Sequence, residues 1–146
     1  MLGELVEATD CWLVPMVGRT VTQCRLDYAF SLVVAGDVDD SYYVTIEQPF
    51  TLRMPGGGGE MVFEPEGDPV RMAPALRVLR QDVERVVAFK DGRLELTFAD
   101  GSILRVPVGE DYEPWNIVGP AGFRIVSLPG GELAIWSPES DDAGPA

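Results

Sequence analysis

The sequence predicts a mainly β (α+β) protein of two similar halves, and three observations carry that expectation. Apolar and polar residues alternate with period two along much of the chain, the pattern of half-buried strands. Asp-Gly and Gly-Gly steps fall between the alternating runs, where tight hairpins need backbone at positive φ. A three-strand meander followed by a hairpin is written twice.

The elements follow in order. Residues 21–26, 29–35 and 42–47 read as the first meander, with Phe30, Leu32 and Val34 on one face and Tyr42, Val44 and Ile46 on another. Residues 50–54 and 60–64 flank Pro55-Gly56-Gly57-Gly58-Gly59, which is flexible enough for a hairpin loop. A phosphate-cradling role for these glycines lacks the Lys-Ser/Thr and the helix that should follow. Residues 64–74 are a proline- and acid-rich crossover. The one short helix is expected at 74–82, with Pro74 at its first position and Leu76, Leu79 and Val83 on one face. Residues 84–89, 93–98 and 103–108 make the second meander, turned by Asp91-Gly92 and Asp100-Gly101, with Leu94, Leu96 and Phe98 on one face. Residues 123–128 and 132–136 close the chain as a hairpin across Pro129-Gly130-Gly131.

The hairpin opening at Phe50 aligns with the one opening at Phe123, and each follows a meander. About ten short antiparallel strands are therefore expected as a sandwich or partly open barrel, its two halves related by a pseudo-two-fold axis and joined by the helix. On this reading 1–137 is a single domain, with halves at 12–66 and 83–137, and 138–146 is a disordered tail with nothing to bury. The second half carries an extra segment, 109–122, that the repeat does not need. Such a segment is free to make contacts, so Asp111, Tyr112, Glu113, Trp115 and Asn116 are the candidate binding residues. Tyr112 and Trp115 equally suit a loop pinned to the core by two aromatic anchors.

Charge and composition narrow the chemistry. The net charge is −13, from 24 acids against 11 bases, which repels phosphate backbones and anionic lipid. It would steer a basic partner inward, although solubility alone also favours it. There is no histidine, so Ser-His-Asp and Cys-His nucleophile systems and His-ligated metals are excluded. Cys11 and Cys24 are too few for a disulfide framework and read as reduced, small apolar side chains. The Asp37–Ser41 stretch looks like a calcium loop but puts Tyr42 and Gln48 where glycine and glutamate are required. No cofactor and no metal is expected. Asp111 and Glu113 are the one carboxylate pair that would serve a glycoside hydrolase. Glu4, Glu7 and Asp10 sit where a secretion signal would be basic, and no apolar run reaches membrane-spanning length, which points to the cytoplasm.

The segment from Leu13 through Arg19 to Val21 with Asp27-Tyr28, the pieces Asp91-Gly92-Arg93-Leu94 and Tyr112-Glu113-Pro114-Trp115, and Leu128 to Trp136 resemble a domain family of unknown function found in actinobacteria. The resemblance spans roughly 12–136 and implies an autonomous bacterial cytosolic domain, with no activity or catalytic residue to carry over. The function expected from the residues is a non-catalytic interaction domain that binds a protein partner, one version being an immunity-type inhibitor of a basic toxin. A small-molecule-binding β-barrel or sandwich is the alternative, and a carboxylate-dependent hydrolase the third. Self-association as a homodimer is compatible with all of them.

Overall fold

In a computed structural model, which describes residues 4–36 and 40–137, thirteen strands pair into two antiparallel sheets that form an open sandwich and no closed barrel. In chain order they are β1 (Val6–Glu7), β2 (Cys11–Leu13), β3 (Thr20–Leu26), β4 (Phe30–Ala35), β5 (Tyr42–Ile46), β6 (Phe50–Arg53), β7 (Glu60–Phe63), β8 (Val83–Phe89), β9 (Leu94–Phe98), β10 (Ile103–Val106), β11 (Trp115–Val118), β12 (Arg124–Ser127) and β13 (Leu133–Trp136). One sheet runs β1-β2-β8-β9-β10-β6-β7, and the other β13-β12-β11-β5-β4-β3.

Alternation places the side chains as period two requires. Phe30, Leu32 and Val34 of β4, Tyr42, Val44 and Ile46 of β5, and Leu94, Leu96 and Phe98 of β9 are all buried in the common core. Phe50 joins the layers there. Its ring stacks on Phe30 of the other sheet at 5.3 Å and on Phe63 of its own hairpin at 5.5 Å. The edge strand β3 departs from alternation because a bulge between Val21 and Gln23 resets its faces.

The halves interlock. The meander β3-β4-β5 continues through β5 into β11-β12-β13, whereas the meander β8-β9-β10 continues through β10 into β6-β7. Each sheet thus combines the meander of one half with strands of the other. In this arrangement β6 corresponds in place to β11 and not to the strand opening at Phe123, because β6 borders β10 as β11 borders β5.

Two further expectations are corrected. Segment 109–122 is no spare loop, since its residues Trp115–Val118 are β11, flanked by β5 and β12 in the middle of a sheet. Pro114 and Gly119-Pro120 bracket only four residues, so loop punctuation hides the strand in the sequence. The helix expected at 74–82 is instead a 3-10 helix, Pro69–Val78, with Pro74 inside it. Its buried residues Met72, Ala75 and Val78 repeat every three positions, the period of a 3-10 turn and not of an α-helix. Leu76, placed on the apolar face by α-helical spacing, is 37% exposed. The tail 138–146 and residues 37–39 of the acidic stretch lie outside the described residues.

Candidate functional site

Four connections converge at one end of the sandwich: the β3–β4 turn, the exit of β5 towards β6, the crossover after β7, and the β10–β11 crossing. Between them lies an open cleft of about 740 Å3, whose walls include Asp27, Tyr28, Thr45, Glu47, Glu66 and Tyr112. A second chamber of about 390 Å3 shares Glu66 and Tyr112 with it and adds Gln48 and Glu64.

Local chemistry explains how each group is held. Asp27 accepts a hydrogen bond from the Ala29 N–H at 2.7 Å, an Asx turn that closes the hairpin and thrusts Tyr28 outward at 81% exposure. Tyr112 sits on irregular backbone but between fixed points. The Gly130 N–H donates to the Gly109 carbonyl and the Glu47 N–H to the Pro114 carbonyl, both at 2.8 Å. Beyond Pro114 the chain plunges into the core as Trp115.

The cleft is electrostatically one-sided. Neither chamber has a lysine or arginine in its walls. Among the described residues, Asp27, Glu47, Glu64 and Glu66 take part in no ion pair. Elsewhere carboxylates do find cations: Arg105 alone meets Glu60 at 3.6 Å and Glu95 at 3.0 Å. Four uncompensated carboxylates beside two exposed phenol rings favour a cation, through charge and through the negative ring faces.

The sequence candidates separate in space. Tyr112 lines both chambers, and Asp111 and Glu113 flank it as exposed loop residues. Asn116 is half-buried on β11, paired with Thr45 of the cleft wall. Trp115 is 0% exposed. Asp27, Tyr28, Glu47, Gln48, Glu64 and Glu66 were not among the candidates. Only Tyr28 carried a signal, as a large aromatic at a turn tip; the others come from segments distant in sequence.

Trp115 belongs to a different place, a buried node between the sheets. Its indole N–H donates to the Gly92 carbonyl at 2.8 Å, and the Ser127 hydroxyl donates to the same oxygen at 2.9 Å. The turns at Gly92 and Gly131 press together so closely that a Cβ on Gly131 would lie 2.2 Å from the Asp91 carbonyl oxygen, and one on Gly92 2.5 Å from the Gly131 Cα. The motif pieces Asp91-Gly92, Trp115 and Gly130-Gly131 are thus structural, while Asp27-Tyr28 and Tyr112 face the cleft.

Among the described residues no group of three or more His, Cys, Asp or Glu is gathered to hold a metal. Cys11 is buried, and burial pushes the Cys24 thiol up to about 11, which keeps it protonated near neutral pH. No helix among the described residues is long and apolar enough to cross a membrane. No curated protein and no solved structure matches the chain. A family model described as "Family of unknown function (DUF6188)" matches residues 12–137, and the chain belongs to that family.

Proposed function

We propose that this protein is a non-catalytic binding module that takes a basic segment of a protein partner into the tyrosine-lined acidic cleft. The observation that carries the reading is the juxtaposition of exposed Tyr28 and Tyr112 with Asp27, Glu47, Glu64 and Glu66 in walls that hold no basic residue. The net charge of −13 adds long-range steering of a basic partner. A toxin or nuclease neutralised by this protein is one partner with that chemistry. The interior favours the cleft over an enclosed ligand cavity, because Phe30, Phe50 and Phe63 fill the space between the sheets. The reading places the protein in the cytoplasm and treats the two interlocked halves as products of a duplication. Support for the duplication comes from the hairpin turns Pro55–Gly57 and Pro120–Gly122, both 3-10 turns whose second residue is left-handed, Gly56 at φ 66° and Ala121 at φ 57°.

Calorimetric titration of the full chain with a short peptide containing both Arg and Lys tests this reading. Binding is expected at about 50 mM NaCl and about tenfold weaker at about 500 mM, where screening is nearly complete beyond contact. The double variant Tyr28→Ala/Tyr112→Ala should keep the parent melting temperature and lose about tenfold in affinity. Equal binding by parent and double variant would remove the cleft from the reading.

A further inference from the structure

We propose that the smaller chamber is an arginine-reading subsite, in which Gln48 supplies a fixed acceptor for a guanidinium group; this rests on the cation-binding reading of the cleft. Gln48 is 8% exposed, yet it lines the chamber together with Glu64, Glu66 and Tyr112. Its Nε2 donates to the Pro107 carbonyl at 2.8 Å. A carbonyl oxygen only accepts, so this bond sets the orientation of the amide and leaves Oε1 as the other end. Oε1 has no hydrogen-bond donor among the described residues.

The Gly109 backbone lies beside that oxygen. A Cβ at position 109 would stand 3.0 Å from Oε1 and 2.7 Å from the Tyr112 carbonyl oxygen. The chamber presents acceptors and no cation: the accessible amide oxygen of the otherwise buried Gln48, the carboxylates of Glu64 and Glu66, and the ring of Tyr112. A guanidinium matches this set because its rigid plane carries five N–H donors. It can donate to Oε1 and to a carboxylate at once while its face lies on an aromatic ring. A lysine ammonium is a strongly hydrated point charge without a face to stack, and it gains less from a fixed acceptor.

The test compares two glycine-spaced peptides on the unmodified protein by calorimetry, one carrying only arginine and one only lysine. The arginine peptide is expected to bind about tenfold more tightly. Equal affinities overturn the subsite while leaving the cation-binding cleft in place, and absence of binding by either peptide overturns both. The variant Gln48→Met removes Oε1 at similar volume and should reduce the arginine preference to less than about twofold, with the lysine peptide unaffected. Gln48→Leu, which also removes Oε1 without adding a charge, is the second variant and takes its place if thermal melting shows that Gln48→Met does not fold. A preference that survives in a folded variant overturns the assignment.

Discussion

The node around Gly92 and the cleft around Tyr112 are reached by the same stretch of chain, yet their polar groups are treated in opposite ways. At the node every donor has a destination: the Trp115 indole and the Ser127 hydroxyl both end on the Gly92 carbonyl, inside a closely packed contact between two turns. In the cleft the carboxylates of Glu47, Glu64 and Glu66 are left without cations at the surface, and Tyr28 and Tyr112 stand exposed. Satisfied buried groups hold a fold together, because leaving one unpaired is costly. Uncompensated surface groups contribute little to stability and remain available to a partner. The segment from Gly109 to Trp115 links the two, so the node also sets where Tyr112 stands.

Breaking the node should have the largest effect. Gly131→Ala places a Cβ against the Asp91 carbonyl at a φ of 104°, where L side chains are strained. A loss of about 3 kcal/mol or more is expected in denaturant unfolding, a large share of the stability of a small domain. A variant as stable as the parent would show that the two turns separate easily. Trp115→Phe, which keeps an aromatic in the core but deletes the indole N–H, should cost about 2 kcal/mol. Ser127→Ala alone should cost about 1 kcal/mol. Each single change leaves the Gly92 carbonyl one donor and the double change leaves none. The double variant should therefore exceed the sum by about 1 kcal/mol, and strict additivity would dismiss the shared acceptor.

The smallest effect is expected from a carboxylate that is already satisfied, away from both regions. Burial works to raise the Asp100 pKa, but the Ser102 hydroxyl and N–H and the Arg77 guanidinium outweigh it and hold the carboxyl below its ordinary range. A depressed folded value contributes stability above the unfolded pKa, and that contribution disappears as pH falls through the folded one. Asp100→Asn should therefore be less stable than the parent at neutral pH and converge on it below about pH 4 in denaturant melts. Parallel curves at all pH values would assign the acid sensitivity to other groups.

Much of the β architecture was legible. The three strands of each meander and both hairpins fall within a residue or two of their expected limits, because alternation and Gly-rich turns are local signals. The missed strand β11 and the misplaced helix have local causes as well. Four residues between Pro114 and Gly119-Pro120 carry too short a pattern to register, and Leu76 and Leu79 suited α-helical spacing although the chain there winds with period three. The site was half legible. Tyr112 stood out as an aromatic among acids, but Glu66 from the crossover and Tyr28 from the first hairpin join it only in space.

The sequence by itself determined the strand faces, the turn positions, the acidic surface and the lack of imidazole chemistry, since each depends on residues adjacent in the chain or on composition alone. The tertiary structure decided which hairpin joins which meander, that Gly92 and Gly131 lie back to back, that Trp115 is core and Tyr112 is surface, and that four carboxylates share one cleft. Those outcomes depend on contacts between segments tens of residues apart. They are set by the packing of two sheets against each other, and a pattern of period two does not record which strands become neighbours.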